Sequence, residues 1–186
     1  MYLIHSDINI GNYKLINFVN LSDKEIEMVR KWRNSEKIRK WMLNDKLISA
    51  EEHIRFIKSL KETKSKVYWL VMKDKQHIGV IYFTDIMWNH RNAYLGVYVN
   101  PENISQGNGK ILLTLILDIG FNLFRFHSLR LEVIEDNHIA ISLYKKFSFK
   151  EEGRLREFVF RDGNWKDVII MGMINPQEKK GEENEN

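Results

Sequence analysis

Ala93-Tyr-Leu-Gly-Val-Tyr-Val99 runs into Asn100-Pro101, and Gln106-Gly107-Asn108-Gly109-Lys110 then opens an apolar stretch from Ile111 to roughly Phe124. The first segment is β-branched and aromatic enough for a central strand. The apolar stretch has the length of a helix. With Leu129-Arg-Leu-Glu-Val-Ile134 following as another strand, the order is strand, glycine-bearing loop, helix, strand, which is a crossover between parallel neighbours. Upstream, Val67–Met72 and His77–Phe83 flank Asp74-Lys75-Gln76, a hairpin signal. Downstream, a helix from about His138 to Phe147 precedes strands near Phe158–Arg161 and Val168–Met173, joined by Asp162-Gly163-Asn164. The spacing predicts a mixed α/β chain in which an antiparallel meander feeds a parallel crossover.

Two helices precede the meander. Ser22-Asp-Lys-Glu25 and Ser49-Ala-Glu-Glu52 are capping boxes, followed by apolar residues at helical spacing: Ile26, Val29 and Trp32, then Ile54, Ile57 and Leu60. The stretch between them, Arg33-Asn34 to Trp41-Met42-Leu43, is too irregular to assign.

The 186 residues suit one domain, expected over 1–175, with an acidic, disordered tail at 176–186 ending GEENEN. The chain has no cysteine, which excludes disulfide scaffolds, thiolate zinc sites, iron–sulfur clusters and cysteine nucleophiles. No metal site is read. The N-terminus has no secretory pattern, and apolar runs of about five residues fall far short of the roughly 20 that span a membrane. The expected compartment is the cytoplasm. Net charge is +4, which suits a phosphorylated small molecule and is too small and scattered for nucleic acid. No membrane partner is expected, and a homodimer is left open.

Two features carry chemistry. The loop at Gln106–Lys110 leads into a helix N-terminus, where main-chain N–H groups and about half a positive charge meet a phosphate. It fits neither a Walker loop nor a dinucleotide fingerprint, and a tight turn that binds nothing is the competing reading. The second is Asn137-His-Ile-Ala140-Ile-Ser-Leu-Tyr144-Lys-Lys-Phe147-Ser-Phe149. By itself Asn137 is a helix N-cap, and Tyr144 is a core tyrosine on an amphipathic helix.

Together the two features resemble the GCN5-related N-acetyltransferase (GNAT) superfamily. Its pyrophosphate loop [R/Q]-x-x-G-x-[G/A] is similar to Gln106 through Ile111, with Ile111 in the small-residue position. Its N-x-x-A-x-x-x-Y-x-x-x-G-F segment is similar to Asn137, Ala140, Tyr144 and Phe149, with Ser148 in the glycine position. The resemblance runs from Tyr13 to about Ile174. It implies a mixed sheet of about seven strands, splayed at the centre and flanked by helices, and an acetyl-CoA-dependent N-acetyltransferase. Within the superfamily, Trp32-Arg33-Asn34, Trp41-Met42, Ile48-Ser49, His53, Phe56 and Tyr94-Leu-Gly-Val-Tyr look like the members that acetylate the C4 amine of a UDP-linked 4-amino-4,6-dideoxy sugar in pseudaminic acid biosynthesis. Acetyltransferases of ribosomal-protein N-termini share part of this pattern and stand as the alternative. A third reading is an acyl-CoA-binding module without turnover.

The resemblance also implies roles. Val97 and Val99 offer main-chain groups to pantetheine. Gln106, Gly107, Asn108, Gly109, Lys110 and Ile111 hold the pyrophosphate, and Asn137 orients pantetheine. Tyr144 donates to the leaving sulfur. With reference pKa values of about 8.5 for a thiol and 10 for tyrosine, full transfer is uphill by roughly 2 kcal/mol, so Tyr144 acts as a hydrogen-bonding general acid. Glu132 is the candidate base, acting through water; its competing reading is a solvent-facing strand residue or an ion pair with Arg130 or Arg154. Arg33 and His53 are placed with the nucleotide, and Met42, Phe56, Thr84 and Tyr94 at the sugar end. His53 reads equally as an exposed helix residue, and Met42 and Phe56 as core.

Overall fold

The structure, a computed structural model, describes residues 4–105 and 107–178; residues 1–3, Gln106 and residues 179–186 lie outside the described residues. Eight strands form one sheet in the order β1-β2-β3-β4-β5-β6-β8-β7. They are β1 (Ile8–Ile10), β2 (Tyr13–Asn17), β3 (Val67–Lys73), β4 (Gln76–Met87), β5 (Asn92–Val99), β6 (Ser128–Ile134), β7 (Lys150–Arg161) and β8 (Asn164–Ile174). Every neighbouring pair is antiparallel except β5 and β6. About seven strands were expected; the short hairpin β1–β2 had no alternating pattern long enough to read and makes the count eight.

Local chemistry sets most element ends. Both capping boxes form, Ser22 with Glu25 opening α1 (Asp23–Asn34) and Ser49 with Glu52 opening α3 (Ala50–Ser59). A short α2 (Glu36–Arg39) lies between them. The turns Asp74-Lys75 and Asp162-Gly163 each place two consecutive residues at positive φ, the twist that joins antiparallel strands tightly. The helix after β5, α4 (Asn108–Asp118), ends in a π turn over Ile119–Leu123. The last helix, α5 (His138–Lys146), precedes β7.

Strand alternation gives the sheet two apolar faces. Trp69, Ile81, Phe83, Leu95, Leu131 and Val133 lie in the larger core with α4 and Tyr144 of α5. Leu70 and Val80 face the other way and pack with Val29 and Trp32 of α1 and Ile57 of α3. The first face is called here the α4 face, the second the α1 face. Gly79 lets α4 bed closely on β4: a Cβ there would stand 2.5 Å from Leu112 Cδ1 and 2.4 Å from the Tyr98 carbonyl oxygen.

Residues 176–178 form a turn, and the Glu178 carboxylate accepts hydrogen bonds from Arg91 and pairs with His127. This ion cluster ties the turn to the residues that immediately precede β5 and β6. Among the described residues no helix is long and apolar enough to cross a membrane.

Candidate active site

β5 and β6 pair only from Asn92 to Tyr94 against Ser128 to Arg130 and then separate, while β4 keeps β5 and β8 keeps β6. A cavity of about 620 Å³ fills the opening. Six consecutive residues of β5, Tyr94 to Val99, line it. Side chains of a strand alternate between faces, so the cavity passes round the free edge of β5 and reaches both sides of the sheet. The Asn100 N–H bonds Ile78 O at 3.0 Å, which fixes the antiparallel alternation. Even-numbered residues of β5 thus turn their peptide groups toward β4. Leu95, Val97 and Val99 turn theirs into the gap, as an added strand requires.

On the α4 face, α5 brings Asn137 and Tyr144 to the cavity. Asn137 caps α5, its Oδ1 accepting from the Ala140 N–H at 3.2 Å, which leaves its amide nitrogen for a ligand. Tyr144 is buried against Phe149, with ring centroids 5.9 Å apart. Burial, then the neighbouring Tyr82, pushes its phenol well above the usual range. It is therefore held in the protonated, donating form.

The start of α4 borders this cavity without lining it. Gly107, at φ +95°, is the N-cap, a left-handed position suited to glycine. A Cβ on Gly109 would stand 3.5 Å from Leu143 Cδ2, and Leu143 lines the cavity. The amides of Gly109 and Lys110 find no acceptor among the described residues. Ile111 corrects an expectation: its N–H bonds Gly107 O at 3.0 Å, the first full turn of the helix, and is spent. The Asn108 N–H likewise bonds Ser105 O, at 3.2 Å. Gln106 lies outside the described residues.

On the α1 face, Met42, Thr84, Tyr94 and Glu132 line the cavity. Neither arginine weighed as a partner reaches Glu132. Arg130 pairs with Glu152, and Arg154 with Glu135, Glu151 and Asp167. Glu132 itself makes no hydrogen bond or ion pair among the described residues. It opens onto the cavity, yet desolvation, then the charge of Asp85, raises its pKa above the ordinary carboxylate range. Both effects favour the protonated carboxyl over the carboxylate.

The structure does not bring Arg33, His53 or Phe56 to this cavity. His53 is buried rather than exposed, and its Nε2 has no partner; desolvation, then Arg30, keeps it neutral. Phe56 packs edge-on against Tyr68 at 5.1 Å, in the α1-face core. Arg33 donates from Nη2 to Asn44 O at 2.5 Å and is not among the residues that line the cavity. Phe56, with His53 stacked on it, is separated from the opening by the stacked Tyr68 and Tyr82.

Residues given no site role from the sequence complete the lining. Tyr82 and Tyr98 come from β4 and β5, and Trp41 and Leu43 from the loop after α2. The tyrosines' signal was their even-numbered positions on adjacent strands, which share a face once the register is known. The loop had no periodic signal. It is held by three guanidiniums bonded to four successive carbonyls: Arg161 to Met42 O and Leu43 O, Arg33 to Asn44 O, and Arg39 to Asp45 O.

Comparison with known proteins agrees with this geometry. Acetyltransferase PseH of Campylobacter jejuni subsp. jejuni serotype O:23/36 is 39% identical over 136 residues, 73% of this chain and 83% of that one. The serotype O:2 protein of the same name is 35% identical over 147 residues, 79% of this chain and 90% of that one. The crystal structure of Campylobacter jejuni PseH in complex with acetyl coenzyme A superposes with a TM-score of 0.67 at 30% identity, covering 87% of this chain and 98% of that one. Spermidine N-acetyltransferase of Vibrio cholerae, in complex with CoA and spermine, shares the fold with a TM-score of 0.81 at 23% identity, covering 89% of this chain and 97% of that one. Residues 26–149 match the acetyltransferase (GNAT) family. With an opened β5 edge, a glycine-capped α4 and a cavity through the sheet, the chain belongs to that family and is an acetyl-CoA-dependent N-acetyltransferase.

Proposed function

We propose that the acceptor is the C4 amine of a UDP-linked 4-amino-4,6-dideoxy sugar, in pseudaminic acid or related nonulosonate biosynthesis, acetylated by direct attack in a ternary complex. The observation that carries this is the cavity's passage through the sheet, with Glu132 on the α1 face and Tyr144 on the α4 face. The two substrates enter from opposite faces and meet at the edge of β5. Kinship to PseH supports a sugar-nucleotide acceptor. Trp41, Met42 and Leu43 give the acceptor side apolar and aromatic walls, suited to a sugar carrying a methyl at C6.

Acetyl-CoA supplies an activated acetyl carbon on a sulfur leaving group. Val97 and Val99 offer main-chain groups to pantetheine, and an N–H there holds the carbonyl oxygen as negative charge builds on it. The main-chain amides of Gly107, Gly109 and Lys110 receive the pyrophosphate at the α4 N-terminus, and Asn137 orients pantetheine. The amine attacks in its neutral form, and Glu132 takes its proton. Tyr144 donates a hydrogen bond to the departing sulfur, a role its raised pKa favours over complete proton transfer. Thr84, Tyr94 and Met42 lie against the sugar. The roles first given to Arg33, His53 and Phe56 are confined to supporting the wall.

Thiol release from acetyl-CoA tests the assignment, with UDP-4-amino-4,6-dideoxy-N-acetyl-β-L-altrosamine and ribosomal-type N-terminal peptides as rival acceptors. Turnover of the sugar nucleotide and not the peptides is expected. Turnover of the peptides alone overturns it.

A further inference from the structure

One transverse row of the sheet on the α1 face reads Tyr68, Tyr82, Gly96 and, across the gap, Glu132. The register pairs Tyr68 with Tyr82 and Tyr82 with Gly96. It also pairs Tyr94 with Arg130, so two residues further along Gly96 stands opposite Glu132. Gly96 has no side chain, and Tyr82 occupies the vacated space. A Cβ at position 96 would stand 2.0 Å from Tyr82 Cζ and 2.2 Å from Tyr82 Oη. The phenol therefore lies across β5 with its hydroxyl directed from β4 toward the gap. Tyr68 stacks on its ring at 4.7 Å and 15° and holds that lean.

Tyr82 and Glu132 line the same cavity, and neither has a hydrogen-bond partner among the described residues. Tyr82 is half-buried and Glu132 exposed to the cavity, and no hydrogen bond joins them, so both are open to a group that enters the gap. An amine arriving there can donate an N–H to the Tyr82 oxygen while its lone pair attacks, which leaves the Tyr82 hydrogen free for Glu132.

We propose that Tyr82 is a second catalytic residue on the acceptor side, whose hydroxyl accepts a hydrogen bond from the attacking amine and donates to Glu132. The relay rests on the acceptor chemistry proposed above. As the C–N bond forms, an N–H bond breaks toward Tyr82 Oη while the Tyr82 proton passes to the Glu132 carboxylate. The C–S bond breaks with its electron pair on sulfur, facing Tyr144. Tyr82 ends unchanged, and Glu132 later gives its proton to water. Desolvation keeps the Tyr82 phenol protonated in the resting enzyme, so it has a proton to pass on. Gly96 is required because any side chain there would displace the relay.

The test is a double-variant cycle in the thiol-release assay, with UDP-4-amino-4,6-dideoxy-N-acetyl-β-L-altrosamine as acceptor. Tyr82→Phe keeps the ring, its stack on Tyr68 and the filled space at Gly96, so acetyl-CoA affinity by calorimetry stays within twofold of wild type. Its kcat falls by about 10²-fold or more, the scale of one proton-transfer group. If Tyr82 acts through Glu132, Tyr82→Phe combined with Glu132→Gln is no slower than Glu132→Gln alone, within about twofold. Multiplying losses overturn the relay. So does a Tyr82→Phe enzyme with wild-type kcat, or one with only a raised acceptor KM, the signature of a mere wall. A wild-type enzyme that refuses this acceptor overturns the acceptor assignment, and the relay with it, before any variant is made.

Discussion

Arg161, at the end of β7, reaches back across the molecule to the loop that walls the acceptor side of the cavity. Its Nη2 donates to Met42 O and Leu43 O, each at 2.8 Å, and its Nη1 lies 3.5 Å from the Asp45 carboxylate. The side chain is 15% exposed, so water replaces it poorly. Arg161→Ala removes two charge-assisted hydrogen bonds, each worth about 1.5–3 kcal/mol. Arg33 and Arg39 still hold the next two carbonyls, so the net loss to loop order is about 2–4 kcal/mol rather than the full sum. Met42 and Leu43 line the cavity on the side proposed for the acceptor, so this loss is expected in acceptor KM, as a rise of about 30- to 1000-fold. Arg161→Lys keeps the charge but has no fork to span both carbonyls, and about a tenfold rise is expected. Initial rates measured with the acceptor varied at saturating acetyl-CoA, and then the converse, separate the two sides of the site. An acceptor KM within threefold of wild type refutes the clamp. So does an acetyl-CoA KM that rises in proportion.

Three other outcomes follow from particular contacts. Tyr144→Phe is expected to lower kcat by about 10²-fold or more while calorimetric acetyl-CoA affinity is unchanged, and unchanged turnover would remove Tyr144 from the chemistry. Folding raises the Glu132 pKa, so its favourable contribution is complete below the unfolded value near 4.3 and is lost as pH rises through the folded value. Glu132→Gln should therefore lose activity yet melt at or above the wild-type temperature at pH 8, the advantage disappearing near pH 4; a lower melting temperature at pH 8 contradicts this. Gly79→Ala forces a methyl 2.4 Å from a backbone carbonyl and 2.5 Å from Leu112, so β4–β5 opens or α4 lifts. A cost of roughly 3 kcal/mol, or about 6–12 °C in Tm, is expected by differential scanning calorimetry, and an unshifted Tm refutes the close packing.

Much of the frame was legible because its signals are short-range. A serine three residues before a glutamate caps a helix through its own backbone, and Ser22 and Ser49 do so here. Asp74-Lys75 and Asp162-Gly163 turn because their own φ angles permit it. The glycine loop and the Asn137–Tyr144 segment were legible for the same reason, as spacings along a strand–helix or helix.

The linear pattern misled where a group's partner lies elsewhere. Ile111 looked available to a phosphate, but the Gly107 carbonyl takes its N–H once the helix closes. His53 and Phe56 carried polar and aromatic signals that fit a ligand site, and packing turned both into the core behind the tyrosines.

The sequence by itself determined the elements, their order, the caps and turns, and the two motifs that mark an acetyltransferase, since each depends on residues within a few positions of one another. Only the tertiary structure decided that β5 leaves β6 after Tyr94, that Arg161 holds a loop almost 120 residues away, and that Tyr82 leans over Gly96 toward Glu132. Those relations rest on strand register and on which face each side chain takes. A single-residue slip reverses both, and only the packing of the whole sheet fixes them.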